Sequence, residues 1–134
     1  MFYGCTSLTE APELPATSLA TYCYTGMFTN CTGLTTAPEL PATSVREHCY
    51  DAMFRGCTSL TTAPELPATS VSSYCYTNMF YGCTSLTTAP ELPTTSLGFA
   101  YHCYDGMFRG CTNLNYITAL FTTTPSTSYT SNWV

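Results

Sequence analysis

Residues 49–67 read Cys49-Tyr50-Asp51-Ala52-Met53-Phe54-Arg55-Gly56-Cys57-Thr58-Ser59-Leu60-Thr61-Thr62-Ala63-Pro64-Glu65-Leu66-Pro67, and the phrase returns along the chain. Its Met-Phe pair recurs at Met1-Phe2, Met27-Phe28, Met53-Phe54, Met79-Phe80 and Met107-Phe108, at steps of 26, 26, 26 and 28 residues. A period in this range marks stacked supersecondary units that bury one another's apolar faces. The chain therefore reads as a solenoid, and its function is expected on the surface of the stack, with no single pocket implied.

Wound at about 100° per residue, residues 20–31 place Cys23, Tyr24, Met27, Phe28 and Cys31 on one arc and Tyr22, Thr25, Gly26, Thr29 and Asn30 on the other. The inner set is identical in every full copy, whereas the outer set changes, as in His48, Asp51, Ala52 and Arg55. This pattern predicts a short amphipathic helix per repeat. Gly4, Asn30, Gly56, Gly82 and Gly110 mark its end, since glycine and asparagine take the left-handed conformation that stops a helix. Leu34-Thr35-Thr36-Ala37 then predicts a short strand, closed by Pro38 and Pro41, which bring no N–H to a ladder. Leu40 should point inward at that corner, as should Leu19, Val45, Val71 and Leu97 ahead of the next helix. Strands stacked about 4.8 Å apart against helices about 10 Å apart predict a curved stack with strands on the concave side.

Charge and cysteine usage narrow the function. There is no lysine, and Arg46, Arg55 and Arg109 stand against eight acidic residues, for a net charge of -5. That balance lacks the basic stripe needed for nucleic acid and disfavours anionic membranes. No stretch reaches the roughly 18 to 20 apolar residues of a membrane span, so direct membrane insertion is not expected. Nine cysteines fall at two repeat positions, Cys5, Cys31, Cys57, Cys83 and Cys111 at one, Cys23, Cys49, Cys75 and Cys103 at the other. Eight residues of helix span about 12 Å, and neighbouring helices lie about 8 to 10 Å apart, beyond the roughly 7 Å a disulfide tolerates. Free, buried thiols acting as small hydrophobes are expected.

Three surface patterns are candidate sites. The outer helix face lines up Tyr22, His48, Tyr74 and His102, with Tyr3, Arg55, Tyr81 and Arg109 beside them. Tyrosine and arginine are favoured at binding hot spots, so this face is a candidate partner surface; the alternative is a solvated face drifting without constraint. Glu13, Glu39, Glu65 and Glu91 form a carboxylate ladder, either a calcium site or, as favoured, side chains splayed into water at the proline corner. Thr9, Thr35, Thr61 and Thr87 form a hydroxyl ladder on the strand side, suited to a repetitive ligand such as a glycan or another strand but more often a β-propensity choice on a solvated sheet. His48-Cys49 and His102-Cys103 point about 100° apart on a helix and make no nucleophile–base pair. No catalytic residue, cofactor or metal is assigned.

The runs Phe28-x-x-Cys31-x-x-Leu34-Thr35, Phe54-x-x-Cys57-x-x-Leu60-Thr61 and Phe80-x-x-Cys83-x-x-Leu86-Thr87 resemble the BspA-type leucine-rich repeat, closest to the Thr- and Pro-rich variety of gut Bacteroidales surface proteins. The resemblance covers residues 1 to about 115 and implies an α/β repeat solenoid, a leucine-rich-repeat-like curved stack with one short strand and one short helix per repeat. Two departures stand out: the unit is longer than the family's usual one, and Ala-Pro-Glu-Leu-Pro replaces an unbroken strand. Residues 1–115 are accordingly the solenoid and residues 116–134 a partial C-terminal cap with a Ser/Thr-rich tail. The resemblance further implies a non-enzymatic bacterial protein, secreted or at the cell surface, binding a protein or glycan in an adhesin-like way. The alternative is a structural spacer or self-assembling segment whose ends stack on one another. Met1 falls inside the repeat phrase and Asn132-Trp133-Val134 looks like the start of a cap, so the chain is expected to be a fragment at both ends.

Overall fold

The computed structural model describes residues 1–92, 100–121, 130 and 132–134. Leu97 and most of the Ser/Thr-rich tail, both singled out above, lie outside the described residues. Successive repeats stack as rungs, and the stack buries one continuous interior. Phe28, Phe54, Phe80 and Phe108 line it, with Met27, Met53, Met79 and Met107 beside them. Leu14, Leu40, Leu66 and Leu92 close it at the proline corner. Leu19 and Val45 are buried as expected and Val71 is half-buried.

The expected helix does not form on residues 21–30, 47–56, 73–82 or 101–110, which are runs of consecutive turns. Every second N–H closes a local turn: Cys23 donates to Ala20, Thr25 to Tyr22, Met27 to Tyr24, Thr29 to Gly26 and Cys31 to Phe28. The intervening N–H groups point along the stack, Tyr22, Tyr24, Gly26, Phe28 and Asn30 donating to Glu47, Cys49, Asp51, Met53 and Arg55 of the next rung. In the runs 47–55, 73–81 and 101–109 each even-numbered carbonyl thus takes a local bond and each odd-numbered one a bond from the rung below. No peptide group on this wall needs a helix to be satisfied. Tyr22, Gly26 and Asn30 carry φ of 61°, 59° and 60°. The turns from Ala20, Tyr24 and Phe28 hold these left-handed residues third, as type II turns do.

The opposite wall is reduced in the same way. The predicted strand shrinks to one parallel bridge per rung, Glu10 to Thr36 to Thr62 to Thr88, and a second, unexpected line runs Ser18 to Ser44 to Ser70. Proline on the far side of Ala37 keeps the first line from lengthening, because it offers no donor. Both walls are therefore joined rung to rung by backbone contacts. The mismatch between strand and helix spacing, from which curvature was expected, is gone.

The 28-residue step shows in the register of the rung-to-rung bonds. Acceptors lie 25 residues ahead of their donors in the lower rungs, as in Phe54 to Met79, and 27 ahead once Tyr74 bonds Tyr101 and Phe80 bonds Met107. Beyond the last full rung, Leu92 bridges Ala119, and Phe108 donates to Trp133 at 2.7 Å. Asn132 is left-handed like Gly106, its counterpart one rung below, so the end of the chain follows the register of another rung.

All nine cysteines are free, and all but Cys5 and Cys23 are buried. Those two are the first at their respective repeat positions, at one end of the described stack. The sequence argument from helix spacing does not apply, since hydrogen-bonded rungs lie well within disulfide reach. Instead the thiols are engaged across rungs: Cys31 donates to the Phe2 carbonyl at 2.9 Å, and Cys57, Cys83 and Cys111 donate to Phe28, Phe54 and Phe80 at 3.1 Å.

Candidate interaction surface

The turn wall converts a one-per-rung sequence position into a column. Because its backbone bonds tie each rung to the next, the same side chain lands above its predecessor. Tyr22, His48, Tyr74 and His102 stack with ring centroids 4.6, 4.7 and 5.2 Å apart and interplanar angles of 11°, 2° and 12°. Tyr22, His48, Tyr74 and His102 all sit in the left-handed region, φ 54° to 61°, which turns their side chains outward. Holding bulky residues there takes about 1 to 2 kcal/mol each, and the column and the rung-to-rung bonds offset it.

Next to the aromatic column runs a second one. The Arg55 guanidinium lies 4.8 Å from the centre of the Tyr81 ring and that of Arg109 lies 5.9 Å from it, one rung to each side. Both arginines are exposed. Tyr3, at the foot of this column, is exposed and accepts a 3.4 Å hydrogen bond from Asn30. The seven residues picked out from the sequence, Tyr22, His48, Arg55, Tyr74, Tyr81, His102 and Arg109, thus lie on one wall.

Sequence reasoning missed the carboxylates that brace this wall. Nδ1 of His48 lies 2.9 Å from Oδ2 of Asp51, and Nδ1 of His102 lies 3.2 Å from Oδ2 of Asp105. The spacing His-x-x-Asp was visible in both rungs, and residues three apart also meet on a helix, so the pairing was readable from the sequence and was passed over. The intervening rungs use threonine there. Thr25 donates to the His48 carbonyl and Thr77 to that of His102, while Thr29 donates to Ala52 at 2.7 Å. Rungs of two kinds alternate, one with Tyr and Thr, the other with His and Asp.

The glutamate ladder lies elsewhere. Glu13, Glu39, Glu65 and Glu91 are all exposed at the proline corner. Shallow grooves of about 410, 400 and 690 Å³ lie between successive members, walled by Pro15 and Pro41, Pro41 and Pro67, and Pro67 and Pro90 respectively. Among the described residues no group of three or more His, Cys, Asp or Glu is placed to hold a metal ion. The threonine ladder is partly occupied with itself, Thr35 donating to the Thr9 carbonyl at 3.1 Å and Thr87 to that of Thr61 at 3.2 Å. Among the described residues no helix is long and apolar enough to cross a membrane.

Residues 1–97 and 39–130 match the family model for the BspA type leucine rich repeat region, in six copies. No curated protein matches the chain. Among solved structures, a leucine rich cell surface protein from Faecalibacterium prausnitzii A2-165 is similar at 24% identity and a TM-score of 0.42, over 73% of this chain and 23% of that one. The chain thus spans less than a quarter of that protein's length.

Proposed function

We propose a binding role for this chain, which belongs to the BspA type leucine-rich repeat family. In this reading it is a non-enzymatic, adhesin-like module of a cell-surface or secreted protein, and the turn wall carries the contact. The observation that supports it most is the pair of columns, Tyr22 to His102 and Arg55-Tyr81-Arg109, held in register by the backbone. Tyrosine and arginine on a rigid scaffold lose little side-chain freedom on binding, which is what makes hot spots of them.

The packing favours a protein over a glycan. Sugars stack on ring faces, but each internal ring of the column already has its faces covered by neighbours, leaving hydroxyl and imidazole edges outward. Edges suit hydrogen bonds to a polypeptide. A chemical role is disfavoured because burial holds the interior thiols neutral, Cys57 and Cys103 being pushed up to about 12.

Arrays of matrix proteins and glycans probed with this chain test the reading. A ligand found there should weaken at least about tenfold on Arg55→Ala or Tyr81→Ala. Retained binding in these variants, together with loss on substituting Glu39 and Glu65, would move the site to the proline corner and overturn it.

A further inference from the structure

We infer that the turn wall takes, as one partner, the glutamate corner of a second copy of this chain laid alongside, an inference that rests on the turn wall being the binding face. The charges of the molecule are unevenly spread. Arg46, Arg55 and Arg109 belong to the turn-wall side of the rungs, where Glu47, Asp51 and Asp105 balance them, whereas Glu10, Glu13, Glu39, Glu65 and Glu91 at the bridges and the proline corner have no cation beside them on that side and carry the whole net charge of -5. Among the described residues the ion pairs are His48–Asp51 and His102–Asp105. Arg55 and Arg109 therefore have no carboxylate partner there, although acids outnumber cations in the chain.

Spacing supplies the specificity. Arg55 and Arg109 stand two rungs apart on either side of Tyr81. Glu39 and Glu91 stand two rungs apart as well, as do Glu13 and Glu65. The turn-wall bonds advance one rung per repeat, and so do the bridges beside the glutamates, so the two intervals correspond rung for rung between copies. An unrelated acidic protein has no reason to share that interval. The guanidinium fork is suited to carboxylates, and Tyr81 holds both forks in place before contact.

Two different walls meet in such a contact, so it is heterologous: one copy keeps its glutamate corner free and the other its turn wall. Side-by-side growth into an open row follows, unlike the closed pair that a symmetric contact gives. Exposed ion pairs are individually weak, so the association belongs to high concentration and low salt, as on a crowded surface.

Sedimentation of the 134-residue chain at ionic strengths of about 0.01 M and about 1 M, where charges act over about 30 Å and 3 Å, reads this directly. Species heavier than the monomer are expected only at the lower salt. Arg55→Glu with Arg109→Glu should abolish them, and so should Glu→Arg at positions 13, 39, 65 and 91. A chain carrying both sets, with its charges exchanged between the walls, should associate again. All these side chains are exposed, so the fold is kept. A wild-type monomer at low salt, association that salt leaves intact, or a doubly exchanged chain that stays monomeric would overturn the inference. If the wild type is monomeric yet its array ligand is still lost on Arg55→Ala, the self-pairing fails and the turn-wall reading stands.

Discussion

Gly56 sits in the left-handed region at φ 72°, and a Cβ there would run into Oδ1 of Asn30 in the rung below. Gly82 has φ 73°, yet its nearest neighbour for such an atom is the Gly56 Cα at 4.0 Å. Gly82→Ala should therefore lower stability by about 1 kcal/mol through backbone strain alone, and Gly56→Ala by about 2 or more, in urea unfolding. Asn30→Gly in the Gly56→Ala background should recover the difference, and no recovery would show that the contact is unimportant. The thiols give a second residue-scale expectation. Burial raises Cys57 and Cys103 from 9.0 to about 12. Both are neutral in either state well below pH 9. Above it the unfolded chain releases their protons first, so stability falls as pH rises from about 9 toward 12, by up to about 1.4 kcal/mol per thiol per unit. Melts taken across that range should show the decline. In the native state a thiol reagent should react rapidly with exposed Cys5 and Cys23, and with the seven buried cysteines only after unfolding.

At the scale of the element, the turn run and the helix share a disguise. The left-handed residues recur every four positions, at 22, 26 and 30 and again at 48, 52 and 56. A helix turns in 3.6 residues, so over ten residues the two periods bury almost the same side chains. That is why Met27, Phe28 and Cys31 were legible as interior from sequence and the conformation was not. One signal did distinguish them: Gly26 and Asn30, Asn78 and Gly82, and Gly106 and Gly110 stand four apart, and asparagine or glycine twice in one helix is costly. The candidate surface was legible for the same reason as the core, because any position repeated once per rung forms a line whatever the local winding. The His–Asp contacts were legible as well, as pairs three residues apart that meet under either winding, but the sequence reading weighed each histidine only against its neighbouring cysteine. Far-ultraviolet circular dichroism should lack the α-helical signature. Within the interior, Phe2, Phe28, Phe54, Phe80 and Phe108 stack 5.5 to 5.7 Å apart. Phe54→Ala, with a ring above and below, should lose about 3 to 5 kcal/mol, and Phe2→Ala, half-buried at the end, clearly less.

For the whole molecule, stability is a sum over rungs and the contacts between neighbours. Removing residues 46–71 joins rungs whose register is unchanged, so a shorter stack should still melt cooperatively at a lower temperature. Removing half that length sets interior positions on the outside and should prevent folding. The rung-to-rung bonds, such as Phe28 to Met53 and Phe54 to Met79, also run along the direction in which the units pile up. A pull on the two ends therefore strains those bonds directly, and the outermost coil peels off before the next is loaded. Each coil set loose pays out at most about 90 Å of slack for a 26-residue repeat. Held between a bead and a cantilever, the molecule should lengthen in a staircase of such increments, a yielding tether that absorbs a tug one loop at a time.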